Sequence, residues 1–413
     1  MTRAASAKRA PGRLVKVALI GVCGWFAYLI AIAGISAHVS KSNPELALAI
    51  RADYAPALIQ LAGGEVHRGA TGRAQGLSRL ALRSDPANAG AYRILGLAYA
   101  AGGDVEAADR LLSFASGRTR RDGVVQAWLF ERRLQRREFG AAFRHADAIM
   151  RRTYNSRPAM FNSIDDVIGL PGAPEALAKR LAISPPWRRE YVLQLVGDSR
   201  QLPAAGILFS SMRGIGAAPN AEELAVYLMT LVQTGEYTVA QREWFQSKGA
   251  HAAPEGTLNN GNFAQKMGLS PFEWLDEQSG TADVEIATPP ERDGLALHAE
   301  YDGFSEPGFV RQLVVLPPGT HQLTGEVLLD STDSAGRLSW TITCAGSSRV
   351  LGRAPAKGGV QLWVAFTLTF DVPPESCGAQ WIELRPDPTD RREGVSIWYD
   401  NLSIRNAASL GSG

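Results

Sequence analysis

The chain of 413 residues is poor in the residue types that build metal and catalytic sites. It has six histidines and three cysteines, and the histidines are scattered without the spacing of a metal motif such as HExxH. It contains neither the GxSxG turn that presents a nucleophilic serine nor the GxxxxGKS/T loop that binds nucleotide phosphates. We therefore expect no metal, no cofactor and no enzymatic activity.

Charge of one sign is scarce in each half of the chain. Residues 1–218 hold 30 of the 43 Lys and Arg but only 16 of the 41 Asp and Glu. Residues 219–413 therefore hold 13 basic and 25 acidic residues. This asymmetry predicts an electrostatic role for one half, or contact between the two halves. The length predicts two or three domains.

The N-terminal segment lacks acidic residues. Residues 1–16 carry five Lys and Arg, and Val17–Ile35 is a run of nineteen residues without a charge. Such a run can cross a hydrocarbon core of about 30 Å. We predict a basic cytoplasmic segment (1–16) and a transmembrane signal anchor (17–39) that places the rest of the chain outside the cytoplasm. The small residues of Ala31-Ile32-Ala33 leave a cleaved signal peptide as the alternative, and both interpretations export the rest.

A period of 34 residues organises the region after the anchor. The central copy spans Ala89–Asp122, with weaker copies one period earlier and one period later. Its large and small residues occupy the positions of a helix–turn–helix repeat: Tyr92, Leu95, Gly96, Tyr99, Ala108, Leu112 and Ala115. Each helix pair leaves an apolar side that only the next pair can cover, so the repeats must stack. We predict an all-α solenoid over residues 45–250; the alternative is an all-helical globular domain that contains three repeats.

The repeat pattern is degenerate after residue 157. Pro174–Ile183 indicates a single short helix. Two helix pairs are predicted to follow it, with prolines at several of the helix starts. The pairs are Pro186–Val196 with Pro203–Met212, and Glu222–Gln233 with Tyr237–Gln246.

Arginine is concentrated in residues 118–157, which hold eleven arginines and four acidic residues. Arg132, Arg133, Arg136 and Arg137 form a candidate patch for an anionic polymer or membrane headgroups. The alternative is a solvated face of the solenoid that also contacts the acidic C-terminal half. Nucleic acid is not an expected partner, because this region is predicted to be exported.

The hydrophobic period changes to two near residue 294. His251–Asp293 is rich in turn residues and is predicted to be a linker, with Ser270–Trp274 (SPFEW) as an apolar segment that docks it against a domain. Residues 294–405 are predicted to form a jelly-roll-like β-sandwich, and residues 406–413 a disordered tail. The candidate strands are Leu295–Tyr301, Phe309–Leu316, His321–Leu329, Arg337–Cys344, Val360–Phe370, Gln380–Arg385 and Ser396–Ile404.

Two of the three cysteines lie in the predicted sandwich. Cys344 ends one strand and Cys377 precedes another. In an exported domain we expect a disulfide between them, closing a loop of about 34 residues. Two buried free thiols are the alternative.

Two tryptophans are predicted on the polar faces of strands. Trp363 falls opposite the apolar face of Val360–Phe370, and Trp381 opposite that of Gln380–Arg385, whereas Trp340 is predicted to lie in the core. A tryptophan among polar neighbours can stack on a sugar ring, so Trp363 and Trp381 form the candidate glycan platform. The alternative is that the solenoid, the linker or a loop covers both.

The helical region resembles the tetratricopeptide repeat family through the residues of the 34-residue period. The resemblance implies a scaffold for protein–protein assembly, with ligands held in a concave groove. The C-terminal part resembles the β-sandwich tail of certain bacterial tetratricopeptide proteins, whose relatives tend to be associated with exopolysaccharide or cell-envelope biosynthesis. The segments that carry this resemblance are SPFEW (270–274), Phe309–Leu316 with the following PPGTHQLTG, SWTITC (339–344), CGAQWIEL (377–384) and IWYDNLSI (397–404). The sandwich is also similar to carbohydrate-binding jelly rolls, whose last strand often ends with an aromatic–Asp pair like Tyr399-Asp400.

Together these features predict a non-enzymatic, membrane-anchored scaffold that binds a protein partner in cell-envelope or exopolysaccharide assembly or export. We expect a single-pass protein of the bacterial inner membrane with most of the chain in the periplasm. The expected partners are a protein in the solenoid groove and the membrane itself, with a polysaccharide as a further candidate. The alternative function is glycan binding through the C-terminal sandwich.

Overall fold

The computed structural model describes residues 13–248, 257–276, 282–290, 292–302, 309–387 and 394–407. The chain divides into two compact units, residues 1–163 and 164–413. The boundary between the units falls inside the predicted solenoid, and the helices that follow it share a unit with the sandwich. The predicted disordered tail lies outside the described residues from residue 408 onward.

The first unit is helical throughout its described part. It begins with a long helix, α1, and continues with seven shorter ones and the first part of α9. The helices are α1 Arg13–Ser40, α2 Pro44–Ile50, α3 Ala55–His67, α4 Thr71–Ser84, α5 Ala89–Ala101, α6 Val105–Arg118, α7 Gly123–Gln135, α8 Phe139–Arg152 and α9 Arg157–Asp165.

Helix α1 has the length and composition of a membrane span or of a signal sequence. Lys16–Ser40 covers 25 residues with a mean hydropathy of 2.2 over its most apolar window, and none of that window is buried in the protein. Only the C-terminal end packs against the rest of the unit, where Ser36 and Ser40 are buried next to α2 and α3. The predicted apolar N-terminal helix is therefore confirmed.

The predicted 34-residue repeat is present as three stacked hairpins, α3–α4, α5–α6 and α7–α8. The turn inside each hairpin contains one residue in the left-handed backbone region, and these residues are spaced 34 apart: Gly69 (φ 77°), Gly103 (φ 86°) and Arg137 (φ 56°). Asn88 and Asp122, also 34 apart, cap α5 and α7 by accepting a hydrogen bond from the third residue of the helix. The local turn chemistry therefore repeats with the same period as the packing.

Small residues allow the two helices of a hairpin to approach closely. At Gly96 in α5 an added Cβ would lie 2.7 Å from Leu112 Cγ of α6, which is closer than real side chains come. Ala108 and Ala115, on the facing helix, are 0 % and 2 % exposed. The pattern of small residues read from the sequence therefore marks the real helix contacts.

The second unit begins with helices that pack in an interleaved order. They are α10 Ala173–Leu181, α11 Arg188–Gly197, α12 Leu202–Gly214, α13 Ala221–Gln233 and α14 Tyr237–Lys248. The predicted pairing of α13 with α14 is confirmed. The predicted pairing of α11 with α12 is wrong, because α12 packs mainly on α10 and α11 packs mainly on α13. Periodicity shows which face of a helix is apolar, but not which neighbour covers that face.

The C-terminal part is an antiparallel β-sandwich of two five-stranded sheets. The first sheet has the order β1-β4-β9-β6-β7 and the second sheet the order β2-β3-β10-β5-β8. The strands are β1 Leu275–Asp276, β2 Ala282–Ala287, β3 Ala296–Tyr301, β4 Val310–Val314, β5 Gly319–Leu329, β6 Leu338–Cys344, β7 Val350–Pro355, β8 Val364–Val372, β9 Gln380–Pro386 and β10 Val395–Asn406. All seven predicted strands are present with shifted ends, and the multidomain fold class is confirmed. The sequence analysis missed β1, which has two residues, β2, which lies in the segment predicted as a linker, and β7, which contains Gly352 and Pro355.

The segment predicted as a linker is part of the sandwich. Leu258, Phe263 and Trp274 belong to its core, and strands β1 and β2 extend the two sheets at their edges. Trp274 contacts Phe263 and the buried Trp340, with ring centroids 5.4 and 5.5 Å apart. The linker prediction for residues 251–293 is therefore wrong for its described part. Its core residues occur singly in irregular backbone, so they produce no hydrophobic period, although the predicted docking of SPFEW is confirmed.

Candidate functional site

The predicted disulfide is present and lies where α14 meets the sandwich. Cys344 at the end of β6 is bonded to Cys377, which precedes β9. Tyr237 of α14 lies against both loops. A Cβ added at Gly346 would lie 2.9 Å from the Tyr237 hydroxyl, and a Cβ added at Gly378 would lie 3.2 Å from the Tyr237 ring. The disulfide therefore joins the two loops against which α14 packs.

The same junction contains aromatic and ionic contacts. The ring centroids of Trp244 in α14 and Phe272 in the SPFEW segment are 5.6 Å apart. Lys248 Nζ lies 2.5 Å from Glu273 Oε1 of the same segment. The segment therefore contacts the sandwich through Trp274 and α14 through its two preceding residues.

Most of the predicted arginine patch is used inside the first unit. Arg133 Nη1 and Nη2 lie 2.8 and 2.7 Å from the two carboxylate oxygens of Asp109. Arg136 donates to Asp109 at 2.9 Å and to Glu106 at 2.6 Å, and Arg132 donates to Glu106 at 2.8 Å. These five residues, here called the ion-pair cluster, join α6 of one hairpin to the C-terminal end of α7 in the next.

The ion-pair cluster leaves little free positive charge. Arg133 also lies 3.4 Å from Glu138, so three guanidinium groups face three carboxylates. The predicted patch is therefore corrected for Arg132, Arg133 and Arg136, because acidic residues 24 to 30 positions earlier in the chain stack opposite them. Of the predicted four, only Arg137 has no carboxylate within 4 Å among the residues that the structure describes.

Four arginines line a separate cavity of about 490 Å³ in the first unit, and within the described residues three of them have no acidic partner. Arg120 and Arg121 enter it from the α6–α7 loop, Arg152 from the end of α8, and Arg93 from α5. The one carboxylate in its wall, Asp122, lies 3.2 Å from Arg93. We call this the arginine cavity. Sequence reasoning included three of its arginines in the arginine-rich segment but did not join them to Arg93, since positions 93 and 152 meet only when the hairpins stack.

The two tryptophans of the predicted glycan platform lie on opposite sides of the sandwich. In β9, Ile382 and Leu384 point into the core of the sandwich. Trp381 therefore lies on the outer face of the first sheet, because successive residues of a strand alternate between its two faces. Trp363 precedes β8 and packs against the outer face of the second sheet. Its neighbours there are Ala296, Leu328 and Trp398. A single platform made of both residues is therefore excluded by the topology, and each tryptophan has to be considered alone.

Each of these tryptophans already has a cation over its ring. The guanidinium carbon of Arg292 lies 4.3 Å from the ring centroid of Trp363, and that of Arg311 lies 4.4 Å from the ring centroid of Trp381. A sugar ring would have to displace the guanidinium or use the other face of the indole. The Nε1 atom of Trp363 is buried and has no hydrogen-bond partner among the residues that the structure describes.

The outer face of the second sheet combines aromatic rings with charged groups. His298 and Trp398 stack with ring centroids 4.0 Å apart and an interplanar angle of 15°. Arg292, which covers Trp363, also lies 2.7 Å from Glu326 and 3.0 Å from Asp400. We call this set the outer aromatic face: Arg292, His298, Glu326, Trp363, Trp398 and Asp400.

The two carboxylates of the outer aromatic face titrate differently. Hydrogen bonds from Arg292 and Asn401 lower the pKa of Glu326 below its usual range. Burial raises the pKa of Asp400, and the bonds from the Asn401 amide and Arg292 offset only part of that effect. Of the aromatic–Asp pair noted in the sequence, Tyr399 is buried in the core, so only Asp400 reaches this face.

Three solved structures to which the chain is similar each match less than half of it. No protein-family model and no curated protein matches the chain. Among solved structures, the chain is similar to one described as "CBM4 structure and function", with 17 % identity over 36 % of this chain and 97 % of that one, at a TM-score of 0.28. It is similar to the CBM22-1 xylan-binding domain of Paenibacillus barcinonensis Xyn10C, with 16 % identity over 37 % of this chain and 97 % of that one, at a TM-score of 0.27. It is also similar to Pseudomonas aeruginosa pilF, with 20 % identity over 47 % of this chain and 90 % of that one, at a TM-score of 0.27. We draw no function from similarities at these TM-scores.

Proposed function

We propose that this protein is a non-enzymatic scaffold that is anchored in a membrane by α1 and binds a protein partner through its helical hairpins. The observation that carries the proposal is the connection between α1 and the hairpins. Helix α1 ends at Ser40, and Asn43 caps α2 by accepting a hydrogen bond from Leu46 at 3.0 Å. Two backbone hydrogen bonds to Val39 close the turn between the two helices. Helix α2, which packs on α3 of the first hairpin, is thus joined to the anchor by a closed turn and not by a flexible linker.

The length of α1 agrees with this role. The 25 residues of Lys16–Ser40 correspond to about 37 Å of helix, and a hydrocarbon core is about 30 Å thick. The last one or two turns can therefore extend beyond the hydrocarbon core. Ser36 and Ser40, which pack against the hairpins, lie in those turns.

The compartment in this proposal is the outer side of the membrane. The basic residues before α1 favour a cytoplasmic N-terminus, and the Cys344–Cys377 disulfide fits an oxidising compartment. Following the sequence resemblance, we place the protein in the inner membrane of a bacterium, with the hairpins and the sandwich in the periplasm. The partner would belong to cell-envelope or exopolysaccharide assembly.

A photo-crosslinker placed on the hairpins tests partner binding. Val124 in the first turn of α7 and Leu80 in α4 are 54 % and 46 % exposed, so they form a matched pair on first and second helices of hairpins. In native membranes we expect a discrete protein adduct from position 124 and none from position 80. Tagging the captured protein should in turn recover this chain. Equal adducts at both positions, or adducts to lipid alone, would contradict the proposal.

Glycan binding by the sandwich is a second candidate, and the outer aromatic face favours it. Stacked rings next to carboxylates and a guanidinium can hold a sugar through its apolar plane and its hydroxyl groups. Trp363→Ala should abolish retention of the full chain by a polysaccharide gel, whereas Trp381→Ala on the opposite sheet should leave it unchanged. Equal loss in both variants, or retention in neither the variants nor the parent chain, would exclude this face.

A further inference from the structure

The arginine cavity carries more positive charge than the protein itself neutralises. Four guanidinium groups and one carboxylate, that of Asp122, line it. Asp122 is already engaged, because it caps α7 through Val125 N and pairs with Arg93. Arg120, Arg121 and Arg152 are exposed, and within the described ranges no carboxylate lies within 4 Å of any of them. The net charge of the lining is therefore close to +3.

Backbone donors lie in the same wall. Gly123 and Val124 are the first two residues of α7, a helix of thirteen residues. The amides at these positions have no acceptor within the helix. They add two hydrogen-bond donors and the positive end of the helix dipole to the guanidinium groups. Donors therefore reach the cavity from three parts of the unit: the α6–α7 loop with the start of α7, α5, and the end of α8.

The cavity also has room for more than an inorganic anion. Its volume of about 490 Å³ lies within the range of small-molecule sites. Val124, Ala148 and Ile149 supply apolar surface next to the arginines. A bound group could therefore place its charged end on the guanidinium groups and its carbon skeleton on these side chains.

The electrostatic field around the cavity supports the same interpretation. His145 of α8 is partly buried close by, and burial together with the charges of Arg133, Arg144 and Arg120 lowers its pKa to about 4. Arg133, the largest of these charges, belongs to the ion-pair cluster, where Asp109 offsets part of its effect on the pKa of His145. The uncompensated positive charge lies in the α6–α7 loop and along α8.

We propose that the arginine cavity binds a small organic phosphate. A phosphate monoester presents three terminal oxygens and about two negative charges, which suits several guanidinium groups and two free amides better than the two oxygens of a carboxylate. A dianion would reduce the net charge of the lining from about +3 to about +1. Val124, the crosslinking position of the partner-binding proposal, lies in the wall of this cavity, but the titration below contains no protein partner, so either proposal can fail without the other.

Calorimetric titration of the full chain in a zwitterionic detergent tests the site. The probes are glucose 6-phosphate, inorganic phosphate and glucose. We expect glucose 6-phosphate to bind more tightly than inorganic phosphate, and glucose not to bind. The double variant Arg120→Gln/Arg152→Gln should weaken glucose 6-phosphate binding by at least about tenfold, which is the factor expected from the loss of a single charged hydrogen bond.

Arg137→Gln is the matched control, because Arg137 is exposed, has no carboxylate within 4 Å among the described residues, and lies outside the cavity. It should change the affinity less than about twofold, within the usual effect of a distant surface charge. Arg120→Lys/Arg152→Lys keeps the charge but not the planar donor pair, and should retain only part of the affinity. All variants should unfold at the temperature of the parent chain.

Three results would overturn the proposal. The first is the absence of phosphate binding by the parent chain. The second is equal binding by the parent, the double variant and the Arg137→Gln control, which would indicate non-specific attraction. The third is displacement of bound inorganic phosphate by phosphatidylglycerol vesicles but not by glucose 6-phosphate, which would assign the arginines to a membrane surface.

Discussion

Arg133 holds Asp109 with two hydrogen bonds, at 2.7 and 2.8 Å, across the boundary between the second and third hairpins. Asp109 is 7 % exposed and also accepts a bond from Arg136 at 2.9 Å. Burial is the largest influence on the pKa of Asp109 and raises it, but the hydrogen bonds and charges of Arg133, Ser113 and Arg136 together outweigh burial, so the net shift of the pKa is downward. A carboxylate in this position is therefore charged when folded, and its charge is compensated by the next repeat.

The first prediction concerns the loss of this pair. Arg133→Gln leaves a largely buried carboxylate with a weaker partner, and should lower the free energy of unfolding by about 2–3 kcal/mol. The measurement is urea unfolding of the full chain in detergent, followed by tryptophan fluorescence. Arg189→Gln is the control, because the Arg189–Glu222 pair is exposed on both sides and its loss should not be measurable. If the two variants lost the same stability, the ion-pair cluster would not join the hairpins.

The second prediction concerns acid sensitivity at His145. Its Nδ1 lies 2.6 Å from Gln126 Oε1 and must donate, since Gln126 Nε2 donates to Ser116. The pKa of His145 is lowered from 6.5 to about 4 by burial and by nearby arginines. Between these values the unfolded chain takes up a proton that the folded chain does not, so stability is complete above about pH 6.5 and falls as the pH drops toward 4.

Replacing His145 with Gln should therefore flatten the pH dependence. From about pH 7 to about pH 5 the parent chain should lose about 1 kcal/mol more than His145→Gln, after allowance for solvent screening. Urea unfolding at the two pH values measures the difference. Comparison within each chain removes any packing effect of the substitution, and equal losses in both chains would show that His145 does not titrate in this way.

The third prediction uses two glycines in helix interiors. Gly96→Ala places a methyl group 2.7 Å from Leu112 Cγ, and should destabilise the chain by about 1–3 kcal/mol. Gly76→Ala in α4 has nothing within 4 Å of the new methyl group, and should stabilise the chain by about 0.5–1 kcal/mol. The sign of the change in thermal or urea unfolding separates the two cases. Stabilisation by both substitutions would mean that α5 and α6 are not in close contact at Gly96.

The parts of the fold that could be predicted are those with a repeated local signal. The period of 34 located the three hairpins, and the alternation of apolar residues located seven of the ten strands found in the described part of the chain. Gly69, Gly103 and Arg137 show why: each repeat contains the same turn, so the same spacing returns. Pairing beyond the regular hairpins was not predictable, since the partners of α11 and α12 depend on contacts distant in the sequence.

The candidate sites were predicted less well, for the same physical reason. The arginine content of residues 118–157 was visible, but Glu106 and Asp109, which neutralise three of the predicted patch residues, belong to the preceding hairpin. Trp363 and Trp381 were correctly placed opposite the core, but only the strand order shows that they face away from each other. The neutralisation of an arginine by a distant carboxylate, and the meeting of residues from distant parts of the chain, depend on the tertiary fold and cannot be read from composition.

The cysteine of α1 tests whether this helix remains part of the protein and holds the hairpins at a membrane. The chain has three cysteines, and because Cys344 and Cys377 form a disulfide, Cys23 within α1 is the one free thiol. A cleaved signal peptide would remove Cys23, so a mature chain of that kind would have no free thiol at all. Cys23→Ser serves as the blank for the assay.

The measurement is labelling of the membrane-isolated chain with a membrane-impermeant maleimide, without reductant. We predict no labelling in intact membranes and one thiol per chain after denaturation, because Cys23 lies inside the span. A denatured chain without any free thiol, or labelling of Cys23 in intact membranes, would contradict the account.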